Sequence, residues 1–225
     1  MHLPESTTPD SSPEEVQQLI RLLQTGERAN IELALQLAEG LGNPATFQQY
    51  LYDLLPLYQL AFRSKKKKNL DAPCLLGLFG LVELEVARCG LFALPKSIGQ
   101  LQNLTVLDCN NNRLQSLPES IGVLQKLEVL WCDNNRLQAL PESIGALQNL
   151  QELYCWSNHL EALPENIGQL QSLERLDCAD NQLTSLPEAL ALLPHLQEID
   201  ARNNPLIDIP AALRQKEGLA LLVDE

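Results

Sequence analysis

From Leu81 onward the apolar residues fall on a grid that repeats every 23 residues without insertion. Segments opening at Leu104, Leu127, Leu150 and Leu173 read LTVLDCNNNRLQSLPESIGVLQK, LEVLWCDNNRLQALPESIGALQN, LQELYCWSNHLEALPENIGQLQS and LERLDCADNQLTSLPEALALLPH. Leu81 opens an earlier copy and Leu196 a later one, and Leu219 falls where a seventh would start, so six units and a fragment are expected. Between Leu127 and Cys132, Leu130 and Cys132 alternate around Trp131, so a period of two sends Leu130 and Cys132 inward and Trp131 outward. One such unit cannot cover its own apolar face, and stability must come from stacking neighbours.

Residues 14–62 keep a helical period and no 23-residue phase. Val16, Leu19, Ile20 and Leu23 fit one helix; Ile31, Leu35 and Ala38 with Leu37 fit a second, with Asn30 as its N-cap and Gly40 and Gly42 near its end. A third runs from about Pro44 to Leu60, and Pro56 should bend or break it. The expected organisation is a disordered tail over 1–13, a helical cap and basic linker over 14–69, and the repeats over 70–225. The helices would cover the first strand, because an open parallel edge invites mispairing.

Each unit fits LxxLxLxxNxLxxLPxxIGxLxx, usually with cysteine at the third apolar strand position. Over about residues 75–225 the chain resembles the leucine-rich repeat family, in the class whose LPxxIGxL half is shared by Ras-suppressor-like proteins, plant intracellular Ras-group-related repeat proteins and many bacterial repeat proteins. The stretch NIELALQLAEGLG resembles segments that precede the repeats in some bacterial members. The resemblance implies an α/β fold: a right-handed solenoid with a parallel sheet on its concave face and an N-terminal α-helical cap. It also implies that Asn112, Asn135, Asn158, Asn181 and Asn204 form a ladder of hydrogen bonds to adjacent turns, with Cys89 in that place in the first unit.

Composition narrows the functional classes. Aromatics make up 4% of the 225 residues and one residue is methionine, so leucine must build the core. The net charge is −13, and its distribution is uneven: residues 1–69 carry 7 basic and 8 acidic groups, residues 70–225 carry 9 and 21. An acidic repeat region repels phosphate backbones and anionic lipid, so neither nucleic acid nor membrane is an expected partner. The N-terminus shows no basic stretch leading into an apolar one, and no apolar run approaches about 18 residues, which points to the cytoplasm.

The in-register Cys109, Cys132, Cys155 and Cys178 lack the paired spacing of zinc ligands. Val86 and Ala201 hold the same position in flanking units, as expected of small core hydrophobes. His2, His159 and His195 have no ligand-spaced partner, and no phosphate-cradling loop, GxSxG or HExxH appears. No metal, no cofactor and no catalytic residue is therefore expected. Arg63 and Lys65 to Lys68 read as a solvated linker, with attraction to an acidic partner or to the acidic repeats as the alternative.

Functional information concentrates on the outward strand positions. The third position of successive units holds Glu83, Val106, Val129, Glu152, Arg175 and Glu198. The fifth holds Glu85, Asp108, Trp131, Tyr154, Asp177 and Asp200, and the seventh Ala87, Asn110, Asp133, Trp156, Ala179 and Arg202. With strands about 4.8 Å apart, Trp131, Tyr154 and Trp156 should make one patch that Val129 extends. Its rim is mainly acidic: Asp108, Asp133, Glu152, Asp177, Asp180 and Asp200, with Arg175 and Arg202 towards the later units. Exposed Trp and Tyr serve as interface anchors, so the expected function is binding of a protein or peptide with an apolar knob and a basic surround. The competing structural reading is that the aromatics only fill cross-strand contacts. Two rival functions are glycan binding by the same aromatics and an effector or adaptor role beside an enzyme.

Leu219 to Val223 supplies a further apolar strand before Asp224 and Glu225. Unless these terminal charges protect it, that exposed edge is open to self-association. Sedimentation at several concentrations checks it: mass should rise with concentration, and a monomer throughout would remove it.

Overall fold

The computed structural model describes residues 12–63 and 70–224. Most of the expected tail and the Lys65 to Lys68 run lie outside the described residues. The chain divides into two compact units, Met1–Gly80 and Leu81–Glu225.

In the first unit, α1 (Pro13–Gln24) opens on a capping box. The Ser12 hydroxyl accepts from Glu15 N at 3.3 Å and the Glu15 carboxylate accepts from Ser12 N at 2.8 Å, satisfying two donors that a helix start leaves open. Val16, Leu19 and Leu23 are buried. The second helix, α2 (Arg28–Gly40), begins earlier than its expected cap. Asn30 sits inside the first turn, where its amide donates to Thr25 Oγ1 and Glu27 Oε2 instead. Ile31, Ala34 and Ala38 face inward, and Leu37 is exposed because the buried stripe lies one position off it.

The third helix, α3 (Ala45–Ala61), runs through Pro56 without breaking. Pro56 is exposed, as is Tyr52, whose carbonyl the proline leaves without its helical donor, so water is at hand for the freed group. Apolar periodicity did not reveal α4 (Ala72–Phe79), which Asp71 caps by accepting from Cys74 N at 3.1 Å. The expected boundary at residue 70 therefore falls after Gly80.

The second unit is a single parallel sheet in chain order. Its strands are β1 (Glu83–Glu85), β2 (Val106–Asp108), β3 (Val129–Trp131), β4 (Glu152–Tyr154), β5 (Arg175–Asp177), β6 (Glu198–Asp200) and β7 (Ala220–Leu222). Leu107, Leu130, Leu153, Leu176 and Ile199 point into the core, followed by Cys109, Cys132, Cys155, Cys178 and Ala201, all at most 1% exposed. After each strand the backbone enters a left-handed turn at Arg88, Asn111, Asn134, Ser157, Asp180 and Asn203, with φ between 51° and 57°.

The next residue is the ladder asparagine in every unit but the first, where it is Cys89. Asn158 Nδ2 donates to Cys132 O of the preceding unit at 3.0 Å and to Cys155 O at 3.0 Å, while its Oδ1 accepts from Leu137 N at 3.0 Å. Asn112, Asn135, Asn181 and Asn204 repeat the arrangement, reaching Val86 O, Cys109 O, Cys155 O and Cys178 O in turn. Burying that amide without partners would cost about 1–3 kcal/mol, so each asparagine locks its unit onto the previous one.

The chain returns through short, tight helical turns such as Lys96–Gln100, Glu119–Val123 and Glu142–Ala146. Here the glycine of IGxL has a steric reason. A Cβ on Gly145 would lie 2.2 Å from Asn166 O, and one on Gly122 2.4 Å from Ser143 O.

The last unit departs from the period. Glu198 pairs with Ala220 and Ile199 with Leu221, so the offset is one residue short of the rest and the seventh start is not at Leu219. A one-residue slip exchanges the two faces of a strand. In strict phase Asp224 would occupy the inward position of Ala201; the slip puts Val223 there and leaves Asp224 outside, where its carboxylate accepts from Asn203 N at 2.5 Å. The short α5 (Ala211–Arg214) and Gly218, at φ 77°, stand where this shortening occurs.

Gly145→Ala should therefore destabilise the repeats by about 1–3 kcal/mol in denaturant melts, as overpacking against backbone does. Gly40→Ala, with nothing within 4 Å of the new Cβ, should be neutral or stabilising. Equal effects from the two would contradict the close stacking.

Candidate interaction surface

The register of the sheet carries the outward side chains into rows. Asp108 pairs with Trp131, Trp131 with Tyr154 and Tyr154 with Asp177, while Val106, Val129, Glu152 and Arg175 follow one another in the third-position row. Trp131, Tyr154, Val106 and Val129 are half-buried and Trp156 is 38% exposed. The three aromatics are neighbours in register but do not stack. Trp156 Nε1 donates to Asp180 Oδ2, which turns the indole towards the next unit. There it walls a depression of about 350 Å³ with Asp177, Asp200, Arg202 and Asp224.

Asp133 stands in the seventh-position row, between Asn110 and Trp156. Its backbone N–H donates to Asn110 Oδ1 at 2.6 Å, and its own Oδ1 accepts from Trp156 N at 2.9 Å. Burial pushes its carboxyl up to about 6, with Asp177 and Asp108 adding to the shift and the Trp156 N–H opposing it. Burial likewise raises Asp177, reinforced by Asp200 and Glu198, while Ala179 N and Arg202 pull the other way. Asp200 is held below the ordinary carboxylate range by Arg202, whose guanidinium lies 2.5 Å from it. Arg175 reaches Glu152 at 2.5 Å, and burial, with Glu152 adding, raises the Tyr154 phenol beside them. Both ion pairs are too solvated to contribute much to folding, but they fix which carboxylates already have a counter-charge. Asp108, Asp133 and Asp177 do not have one among the ion pairs of the described residues.

Nucleophilic chemistry has no support at the cysteines. Burial drives the thiols of Cys109, Cys132, Cys155 and Cys178 far above their usual range. Three of them donate to the next strand's carbonyl, as Cys132 does to Tyr154 O at 3.1 Å. His159 and His195 are exposed, and among the described residues no group of three His, Cys, Asp or Glu could hold a metal. Sequence reasoning missed Asp224 as part of this surface. The signal was present: strict phase would bury a carboxylate, a cost that a slip of one residue relieves.

A parallel sheet of stacked, asparagine-locked units with a varied outward face defines a leucine-rich repeat solenoid. Family comparison agrees: a leucine-rich repeat region model matches residues 53–160 and a leucine rich repeat model residues 148–206. The chain is a leucine-rich repeat protein. Among solved structures it is similar to a leucine-rich repeat protein of Leptospira interrogans, at 47% identity and a TM-score of 0.56, over 58% of this chain and 33% of that one. The chain thus spans about a third of the length of that relative. No curated protein matches it. Domains of this family generally mediate protein–protein interaction and are typically non-catalytic. Among the described residues no helix is long and apolar enough to cross a membrane.

Asp133 yields a pH prediction. Its folded pKa lies above the unfolded value, so the folded state holds more protons between about pH 4 and 6 and stability falls as pH rises through that window. Asp133→Asn, which mimics the protonated form, should be more stable than wild type at pH 7.5 and gain less at pH 5, midway through the window. Denaturant melts at the two pH values check this; a variant less stable at pH 7.5 would contradict it.

Proposed function

We propose that this protein is a non-catalytic recognition module that binds a protein partner through the strand face of its repeats. The observation that carries the reading is the placement of both tryptophans of the chain, with Tyr154, on a face that also carries Asp108, Asp133 and Asp177, which have no counter-ion among the ion pairs of the described residues. Trp and Tyr supply anchor area, and the surrounding charge steers and selects. The same aromatics fit a glycan less well, because Trp156 is turned aside to Asp180 and does not lie beside Trp131 as a flat stacking platform. An enzyme-linked role has little to rest on: Cys74, the cysteine left outside the ladder and the turn series, is buried in α4.

The reading includes a cytoplasmic setting, supported by six cysteines that are all unpaired. A bacterial source is proposed on the likeness to the Leptospira protein.

Capture from source lysate by wild type and by a Trp131→Ala, Tyr154→Ala, Trp156→Ala triple variant tests the proposal, with circular dichroism confirming that both are folded. Proteins should be retained by wild type and lost by the variant. Identical capture would overturn the reading, and loss of binding on a carbohydrate array instead would move it to glycans.

A further inference from the structure

The apolar positions of the strand face do not follow a row; they cross the rows. Val106 and Val129 hold the third position of successive units, Trp131 and Tyr154 the fifth of the next pair, and Trp156 the seventh. From Val106 to Trp156 the band steps across two strand spacings and along four residues, which makes an oblique strip about 16 Å long.

Carboxylates line both sides of this strip. On one side Asp108 and Asp133 are separated by one strand and two residues, the same slant as the band itself. On the other side Glu152 and Asp177 repeat that step. The two lines lie about 12 Å apart on the strand grid. Glu152 is answered by Arg175, leaving Asp108, Asp133 and Asp177 as the charges without a counter-ion pair among the described residues.

These dimensions select among occupants. An α-helix is about 10–12 Å across with its side chains and advances about 1.5 Å per residue, so about 11 residues would span the strip. An extended segment lying on the face would find no free strand edge there, because β3 and β4 are each paired on both sides, and its backbone groups would go unanswered. A helix satisfies its own backbone and presents one apolar stripe with charges on its flanks.

We propose that the strand face receives a basic amphipathic helix of a partner protein, lying obliquely along Val106, Val129, Trp131, Tyr154 and Trp156 between the two carboxylate lines. This rests on the protein-binding reading above and adds the occupant and its orientation. The partner's leucine-type residues at helical spacing meet the band, and its lysines or arginines on the two flanks meet Asp108 and Asp133 on one side and Asp177 on the other.

Synthetic peptides test it against the full chain. The probe is a peptide of about twelve residues with leucines spaced three and four apart and lysines on both flanks, lacking tryptophan, so that emission reports Trp131 and Trp156 alone. Controls are a scrambled peptide of the same composition, one with glutamate for lysine, and one with a central proline. The lysine-flanked helix should shift the emission saturably and gain helicity on binding, and each control should bind at least tenfold more weakly. Asp108→Asn with Asp177→Asn keeps the side-chain oxygens that accept Asn110 N and Ala179 N, and should weaken the first peptide at least tenfold. Equal binding by the proline peptide would replace the helix with an extended segment. Equal binding by the scrambled peptide, or an unmoved emission, would overturn the proposal. If emission is unmoved while the triple aromatic variant still loses its captured proteins, the strand face remains the binding surface and only the helical occupant is wrong.

Discussion

The structure of the repeats depends on one asparagine per unit. It closes the turn after each strand, donates to a carbonyl of its own unit and to one of the unit before, and accepts from a backbone N–H of the unit before. A repeat that cannot cover its own apolar face exists only while its neighbour is in register, and the asparagine sets that register. On the return side the glycines do the complementary work: they let successive turns approach so closely that a Cβ would meet backbone. The inward cysteines belong to the same scheme. They are small, fully buried hydrophobes, and three of them lend weak S–H donors to the next strand.

Fixing the inner face in this way leaves the outer strand positions to vary without cost to the core. Their chemistry divides into carboxylates that have a partner and carboxylates that do not. Arg175 and Arg202 answer Glu152 and Asp200, while Asp133 is partly desolvated beside two like charges. An acid in that position is better satisfied by a cation brought from outside than by water, and the adjacent apolar band supplies contact area for whatever brings it. On the proposed reading, electrostatics and packing together favour a basic, apolar partner.

Much of this was legible in the sequence, because a period of 23 residues fixes which side chains point in and which point out. The strand rows, the inward leucines and cysteines and the turn asparagines all follow from it. What the period could not reveal are the places where packing overrides it. The last unit slips by one residue so that Asp224 stays in water, which brings that carboxylate to the depression beside Trp156. The helical stretch lacks a repeat to check against, so the start of α2, the exposure of Leu37 and the presence of α4 were misjudged or missed. Side-chain direction is a further limit: register makes Trp156 a neighbour of Tyr154, but a hydrogen bond to Asp180 decides where the indole lies.

On the proposed reading, recognition occurs on the strand face of the repeats and not on their return turns. Hydrogen–deuterium exchange of the chain alone and with its captured partner tests that most directly. Protection should increase in and just after β2 to β5, where Asp108, Trp131, Tyr154, Trp156 and Asp177 stand, and remain unchanged in the return turns at Glu119–Val123 and Glu142–Ala146. New protection confined to those return turns or to α1 to α4 would contradict it.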